Sequence, residues 1–523
     1  MEEERNGLYL IRKGRKGLVR AVFSRLGIIS LLLVLQAAFL IFSILRFSQY
    51  TPYMVSVSAI FTVSMVLYLI NSKIDPTGKI TWLILIMLFP ITGAVLLLYT
   101  RTDVGHRALK KRLLTLNTDT HESIPQSEET MARLREERPA AASLAHYISR
   151  AGCYPAYDCT QTTYLPSGEA KFKAMLRELE RAKHFIFLEY FIINEGYMWS
   201  RILEVLARKA KSGVEVRVIY DGTCEFSTLP HDYPKRLELL GIKCKIFSPL
   251  TPFISTHYNY RDHRKILVID GHTAFTGGVN LADEYINRTE RFGHWKDAAL
   301  MLKGEAVKSF TLMFLQMWSI NDNAPEFGRY LSMPSRPPAE TKGYVIPFGD
   351  CPLDGYKLGE HVYMDILNRA RRYVHIMTPY LIMDGEMECA VKFAAERGVD
   401  VAIILPGVPD KDIPYALAWT HYAPLLASGV RIFEYTPGFV HSKVFVSDDE
   451  AAVVGTINLD YRSLYHHFEC AAYMTGTSCI PDIERDFQQT LTKCRQIKPE
   501  NLRDVKWTRK ATGFVMKAVS PLL

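Results

Sequence analysis

The nine cysteines of this 523-residue chain include no Cys-x-x-Cys pair. They stand at 153, 159, 224, 244, 351, 389, 470, 479 and 494, an odd and scattered set that suits neither a zinc site nor a disulfide framework. Most read as buried thiols, and Cys153 and Cys159 are the pair that could bridge in an oxidising space. No Gly-rich loop leads into Lys-Ser or Lys-Thr, so nucleotide use has no support. No cluster of acidic residues accompanies the candidate catalytic groups, so no metal and no cofactor are expected. A long basic tract beside those groups is also missing, which counts against nucleic acid as a partner. The net charge of +8 permits contact with anionic lipid or nucleic acid but selects neither.

Apolar residues are not scarce, at 48% of the chain. A basic tail over residues 1–25, with Arg5, Arg12, Lys13, Arg15, Lys16, Arg20 and Arg25, precedes an apolar run at 26–45. Uncharged runs follow at 53–70 and 80–99. Each is about long enough to cross a bilayer as a helix, so residues 26–100 are expected to be a multi-pass membrane region. A cleaved signal peptide fits poorly, because the first run is long and two more follow it. The tail and the Lys73–Lys79 loop carry nine Lys/Arg against six on the other side, counting Arg46. That balance favours an extracytoplasmic catalytic region, whereas a re-entrant run would leave both basic clusters in the cytoplasm. Residues 101–150 are charged, helical in pattern and broken near 123–129, and are read as a connector.

From about residue 151 the pattern alternates strands and helices, an α/β arrangement. It also repeats. Phe185–Gly196 matches Val374–Gly385, and the strands Gly213–Tyr220 and Gly241–Phe247 match Gly398–Leu405 and Gly429–Phe433 in the same order. The repeats are placed at 151–335 and 336–495, with a C-terminal tail at 496–523. Val505–Leu523 mixes Lys506, Arg509, Lys510 and Lys517 with Trp507, Phe514, Val515 and Val519. That mixture suits an anionic bilayer surface or an ordinary packing helix equally.

The fourth match carries the chemistry. His263-Arg264-Lys265 with Asp270, then Gly277-Gly278-Val279-Asn280, is copied as His441-Ser442-Lys443 with Asp448, then Gly455-Thr456-Ile457-Asn458. Read as a buried strand, each stretch puts its His and Lys on one face, because alternate residues share a side. A His beside a fixed ammonium suits an anionic substrate such as a phosphate. Asp270 and Asp448 complete each motif, but their odd spacing turns them away, which gives them a scaffold role at the strand end. His466-His467 is a tempting ligand pair, yet neighbours on a strand face opposite ways.

These residues resemble the phospholipase D superfamily, marked by a duplicated His-x-Lys-x4-Asp with a trailing Gly-x-x-Asn. Tyr260–Lys265, Phe187–Phe191, Thr378-Pro379-Tyr380, Asn458–Ser463 with Phe468-Glu469, the N-terminal apolar region and Ser520–Leu523 extend the likeness to the bacterial cardiolipin synthases. The extra first span and its long basic tail are a departure. The resemblance implies two tandem α/β repeats, each a mixed sheet flanked by helices, sharing one active site behind N-terminal transmembrane helices. It implies a phosphatidyltransferase of the cell membrane that joins two phosphatidylglycerol molecules into cardiolipin and releases glycerol through a phosphohistidine. Another acceptor, hydrolysis, or less readily a nuclease, would use the same residues. His263 would attack and His441 would serve as acid and base, an order the residues alone leave open. Lys265 and Lys443 would clamp the phosphate, and Asn280 and Asn458 would bind it. Asp297, in Trp295-Lys296-Asp297, and Glu469 are candidates to orient the histidines. Phosphatidylglycerol and anionic lipid are the expected partners, and the oligomeric state is left open.

Overall fold

The computed structural model describes residues 51–249, 260–322, 326–334 and 341–520, apart from 73, 75, 103 and 504. The basic tail and the first apolar run lie outside the described residues. By contacts the chain forms two units: a large one over Ala108–Leu250 and Tyr258–Gly513, and a small one that includes the segment ending at Arg107 and Phe514–Leu523.

In the small unit the run at 53–70 is the helix Thr51–Ile70. The run at 80–99 is not one helix but two of 13 residues, Pro76–Leu88 and Pro90–Thr102. Proline has no N–H to continue a helix and its ring displaces the preceding turn, so Pro90 starts a new one. The chain folds back sharply there, and a Cβ on Gly93 would stand 2.9 Å from the Leu85 carbonyl oxygen. Thirteen residues span about 20 Å, short of a hydrocarbon core of about 30 Å. Among the described residues no helix is long and apolar enough to cross a membrane.

The expected connector is not a loose tether. Past residue 107 it belongs to the large unit, through the helices Glu128–Glu137 and Pro139–Gly152, and buries Leu116, Leu134 and Ile148 completely. The Ser127 side chain caps the first of these by accepting from the Thr130 N–H, which accounts for the break in pattern.

The strands of the large unit are β1 (Thr160–Leu165), β2 (Phe185–Tyr190), β3 (Glu215–Asp221), β4 (Lys243–Phe247), β5 (Arg261–Asp262), β6 (Lys265–Ile269), β7 (Thr273–Gly277), β8 (His294–Lys296) and β9 (Ala299–Gly304). The second half continues with β10 (Tyr344–Asp350), β11 (Tyr373–Met377), β12 (Leu381–Ile382), β13 (Asp400–Pro406), β14 (Arg431–Tyr435), β15 (Gly438–Val440), β16 (Val444–Ser447), β17 (Ala451–Gly455), β18 (Leu459–Asp460), β19 (His467–Thr475) and β20 (Cys494–Ile497). The first sheet runs β1-β9-β7-β6-β2-β3-β4, and the second runs β10-β19-β17-β16-β11-β13-β14-β20. Strand for strand the orders agree, with β20 added at one edge. In both, three consecutive strands, β2-β3-β4 and β11-β13-β14, pair in parallel, and the other pairings are antiparallel. The repeat seen as sequence is thus a repeat of topology.

The helix Val307–Trp318 lies against β2 and β6 of one sheet and β10 of the other, and every residue in it except Lys308 is buried. Its all-round apolar character is what such a position demands. Phe314 stacks on Phe187 at 4.5 Å.

Two short parallel pairings cross between the halves, and both stop one residue before a motif histidine. β5 pairs with β19, Arg261 opposite His467 and Asp262 opposite Phe468. β15 pairs with β8, Phe439 opposite Trp295 and Val440 opposite Lys296. The histidines are therefore not strand residues as the pattern suggested. His263 and His441 sit in the links into β6 and β16, where the chain leaves one half's partner for its own sheet.

Candidate active site

The crossing pairs fix each histidine backbone to the opposite repeat. The His263 N–H donates to the Phe468 carbonyl at 2.9 Å, and the His441 N–H to the Lys296 carbonyl at 2.7 Å. The next residue on each partner strand is the acid. His263 Nδ1 lies 2.8 and 2.9 Å from the two Glu469 carboxylate oxygens. His441 Nδ1 lies 2.7 Å from Asp297 Oδ2. Each repeat thus supplies the acid for the other's histidine, leaving each Nε2 away from its carboxylate. The two acids are fully buried. Thr456 Oγ1 donates to Glu469 Oε2, and the Ala298 N–H donates to Asp297 Oδ1 at 2.8 Å. At the position matching Thr456 stands Gly278, where a Cβ would come within 2.0 Å of Asp297 Oδ1. Glycine is required there because the shorter acid and its histidine close directly onto the backbone.

Lys265 and Lys443 are also buried. Lys265 Nζ donates to the His263 carbonyl at 2.6 Å, and Lys443 Nζ donates to the His441 carbonyl. Lys443 Nζ is also 2.9 Å from His441 Nδ1. Burial, the largest influence, pulls the Lys265 amine down to about 8 and the Lys443 amine to about 7. Burial likewise holds the His263 imidazole well below its ordinary range, helped by Lys265, Lys443 and His441. Burial and Lys443 bring His441 to about 4, against the pull of Asp297. For Asp297, burial acts upward, but His441 and Lys443 hold the carboxyl low. The histidines and lysines of both motifs therefore act on one another as a single group, with a positive field that an anion would relieve.

The asparagines are partly committed. Asn280 Oδ1 accepts from the Ile192 N–H at 3.1 Å and its Nδ2 donates to Tyr285 at 2.7 Å. Asn458 Nδ2 donates to Asp460 at 3.2 Å, and its Oδ1 has no partner among the described residues. Each amide keeps a second N–H for a ligand.

Asp270 and Asp448, which complete each motif, do not join the histidines. Asp270 accepts from the N–H groups of Lys183, His184 and Phe185 at 2.7–2.9 Å. Asp448 does the same for Arg371, Arg372 and Tyr373 at 2.8–2.9 Å. Both have positive φ, 52° and 56°, at the turn after the motif strand, a conformation Asp tolerates better than most residues. They tie that turn to the start of β2 or β11.

Aromatic rings line the histidines. Phe191 meets His263 edge-on at 4.9 Å, and Tyr285 meets His441 at 5.3 Å. Trp295 lies 5.5 Å from His441, and His467 lies 5.3 Å from His263. His467 was not expected here, because alternation shows only that one of His466 and His467 faces inward. Thr456 and the fully buried Lys171, whose Nζ donates to the Val279 carbonyl at 3.0 Å, were also missed. Lys171 lies on the helix Gly168–Leu179, where a lysine ordinarily reads as a solvated face. His263, His467 and Glu469 bring possible metal ligands within 4.8 Å of one another. The adjoining Lys265 and Lys443 suit that space to an anion rather than a cation.

The sequence family described as "Cardiolipin synthase, PLD-like domain" matches residues 175–318 and 363–491. An uncharacterized protein of Streptococcus mutans is 56% identical over 461 residues, 88% of this chain and the whole of that one. Proteins named cardiolipin synthase from Halalkalibacterium halodurans and Geobacillus kaustophilus are 33% and 34% identical, each over 90% of this chain and 93% of its own length. The crystal structure of phosphatidylserine synthase from Haemophilus influenzae shares the fold, with a TM-score of 0.53 at 16% identity over 69% of this chain and 95% of that one.

Proposed function

This chain belongs to the cardiolipin synthase family of phospholipase D-like proteins and is a phospholipase D-type phosphatidyltransferase, and from that premise we propose that it converts two phosphatidylglycerol molecules into cardiolipin and glycerol. The observation that carries the mechanism is the crossed pairing of His263 with Glu469 and His441 with Asp297 beside two buried lysines. With Nδ1 held by Glu469, His263 Nε2 keeps the lone pair. It attacks the donor phosphorus, and the P–O bond to the headgroup glycerol breaks. His441 gives its proton to the departing alkoxide. It then takes a proton from a hydroxyl of the second phosphatidylglycerol, whose oxygen displaces His263 from phosphorus. Lys265 and Lys443 hold the phosphoryl oxygens throughout, with Asn280 and Asn458 contributing an N–H each.

His441 must carry a proton at the first step, yet burial and Lys443 bring it to about 4. A phosphodiester anion between the two ammonium groups offsets their field, so substrate binding favours protonation of the acid. Donor and acceptor are both lipids, which places the reaction at the cell membrane, where the N-terminal apolar segment would hold the protein.

The test is incubation of the purified protein with phosphatidylglycerol, with lipids and free glycerol quantified, alongside His263→Ala and His441→Ala. Cardiolipin and glycerol in equal amounts are expected. Phosphatidic acid without cardiolipin would mean hydrolysis instead, and full activity in both variants would overturn the mechanism.

A further inference from the structure

The two crossing strand pairs align the halves residue by residue. Counting back two positions from each acid gives Trp295 on one side and His467 on the other. Both rings lie close to the opposite histidine, at 5.5 and 5.3 Å. One half fills this position with an indole, whose Nε1 also has no hydrogen-bond partner among the described residues, and the other presents an imidazole of which only 8% is exposed. Neither ring nitrogen of His467 has a hydrogen-bond partner among the described residues. The nearest carboxylate oxygen, Glu469 Oε1, is 3.7 Å from Nδ1, too far for a hydrogen bond, and it already faces His263. A buried polar group without a partner is costly, and native proteins rarely keep one without a reason.

We propose that His467 is a further catalytic residue whose ring N–H donates to an oxygen of the substrate phosphodiester beside His263. The inference rests on the phosphatidyl-transfer reading only in requiring that a phosphodiester enters this site. Burial, the largest influence, holds the His467 ring at about 3 despite the neighbouring Glu469. The group is therefore a neutral donor and not a third cation. It is also poorly suited to proton transfer at neutral pH, which leaves that role to His441. A neutral donor aimed where phosphoryl charge builds up adds to Lys265 and Lys443 without adding to the repulsion between them. Phe191 at 6.4 Å helps fix the ring. A cation held by His263, His467 and Glu469 is the competing use of the same atoms, and the two buried lysines count against it.

The full-length protein would be assayed in detergent with phosphatidylglycerol and, separately, with bis(p-nitrophenyl) phosphate. His467→Phe keeps a ring of similar shape but removes the donor. His467→Asn and His467→Gln restore an N–H near Nδ1 and Nε2 respectively. Loss of one donor to a reacting oxyanion is expected to lower kcat/KM by about 10²- to 10³-fold in His467→Phe, on both substrates. One amide variant should return to within about fivefold of the parent, and a chelator should change nothing. His467→Phe within threefold of the parent, or equal loss in all three folded variants, overturns the proposal. So does activity that a chelator abolishes in the parent and zinc restores. Where the variants fail to fold, a structure of the parent with tungstate decides. An oxyanion oxygen within about 3.2 Å of a His467 ring nitrogen supports the assignment, and a bound oxyanion beyond hydrogen-bond reach refutes it. If no cardiolipin forms, the soluble diester still reports on His467, so the two readings fail separately.

Discussion

Replacing Glu469 by Gln is the sharpest probe of the crossed site. The side chain keeps its shape and loses its charge. In the parent both carboxylate oxygens face His263 Nδ1, at 2.8 and 2.9 Å, and one also accepts from Thr456. Glutamine cannot reproduce this. If its oxygen faces Nδ1, the hydrogen bond survives but the charge assistance is lost, about 1–1.5 kcal/mol, or roughly 5- to 13-fold. If its NH2 faces Nδ1, that nitrogen must accept, and the imidazole proton moves to Nε2. The attacking lone pair is then gone, and wrong-tautomer substitutions of this kind cost up to about 10⁴-fold. Thr456 favours the second outcome, because its hydroxyl already donates to one terminal atom and selects the amide oxygen there. Glu469→Gln is therefore expected to lower kcat/KM for cardiolipin formation by between about 10² and 10⁴, with a thermal midpoint within about 3 °C of the parent. The assay is release of labelled headgroup glycerol, with a rapid-quench burst reporting formation of the phosphatidyl-enzyme. A folded variant within fivefold of the parent would refute the view that Glu469 sets the tautomer of His263.

A p-nitrophenyl leaving group needs no proton, so His441→Ala should still release p-nitrophenol in a burst and accumulate a covalent intermediate, whereas His263→Ala should not. The opposite pattern would reverse the order of the histidines. The Lys443 and Lys265 amines, drawn by burial to about 7 and 8, are charged below those values and lose charge as pH rises through them. KM for the soluble diester should therefore be flat below about pH 6.5 and rise about tenfold between pH 7 and 9, and a flat profile to pH 9 would show that the lysines do not clamp the anion. Asp270→Ala and Asp448→Ala should each cost about 2–3 kcal/mol of stability through three lost backbone hydrogen bonds, read as a lower thermal midpoint. The folded fraction of each should keep kcat within about threefold, and a selective loss of kcat would return these aspartates to the chemistry.

The duplication was legible because its signal is spacing: His, Lys, Asp, Gly and Asn recur at the same intervals in both halves, and the sheets repeat in the same order. That Asp270 and Asp448 turn away from the histidines was legible from their parity, although the turn they hold was not. Asp297 and Glu469 could be picked out as acids near the motifs, but not assigned. Sequence proximity pairs each with the histidine of its own half, and the fold does the reverse, because β5 and β15 cross to the other repeat before each histidine. No local pattern marks a two-residue strand that pairs 206 positions away, as the His263–Glu469 contact requires. The run at 80–99 counted as one span because hydropathy outweighed Pro90, the residue that divides it.

The crossing also bears on why the sequence could not order the histidines. Each half contributes a His, a Lys and the other half's acid, so the first layer of the site is symmetric by construction and neither repeat holds a complete pair. Asymmetry enters one layer out. Around His441 the shorter acid, Asp297, closes onto Gly278, and Trp295 and Tyr285 leave an aromatic wall. Around His263 the longer acid, Glu469, takes a hydrogen bond from the Thr456 side chain, and the imidazole of His467 stands where the other half has an indole. A group that must take up and release a proton in turn gains from an ammonium, Lys443, 2.9 Å from its Nδ1 to keep its affinity for that proton low. The Lys443 contact is the asymmetry that supports the proposed order, with His263 as nucleophile and His441 as acid and base.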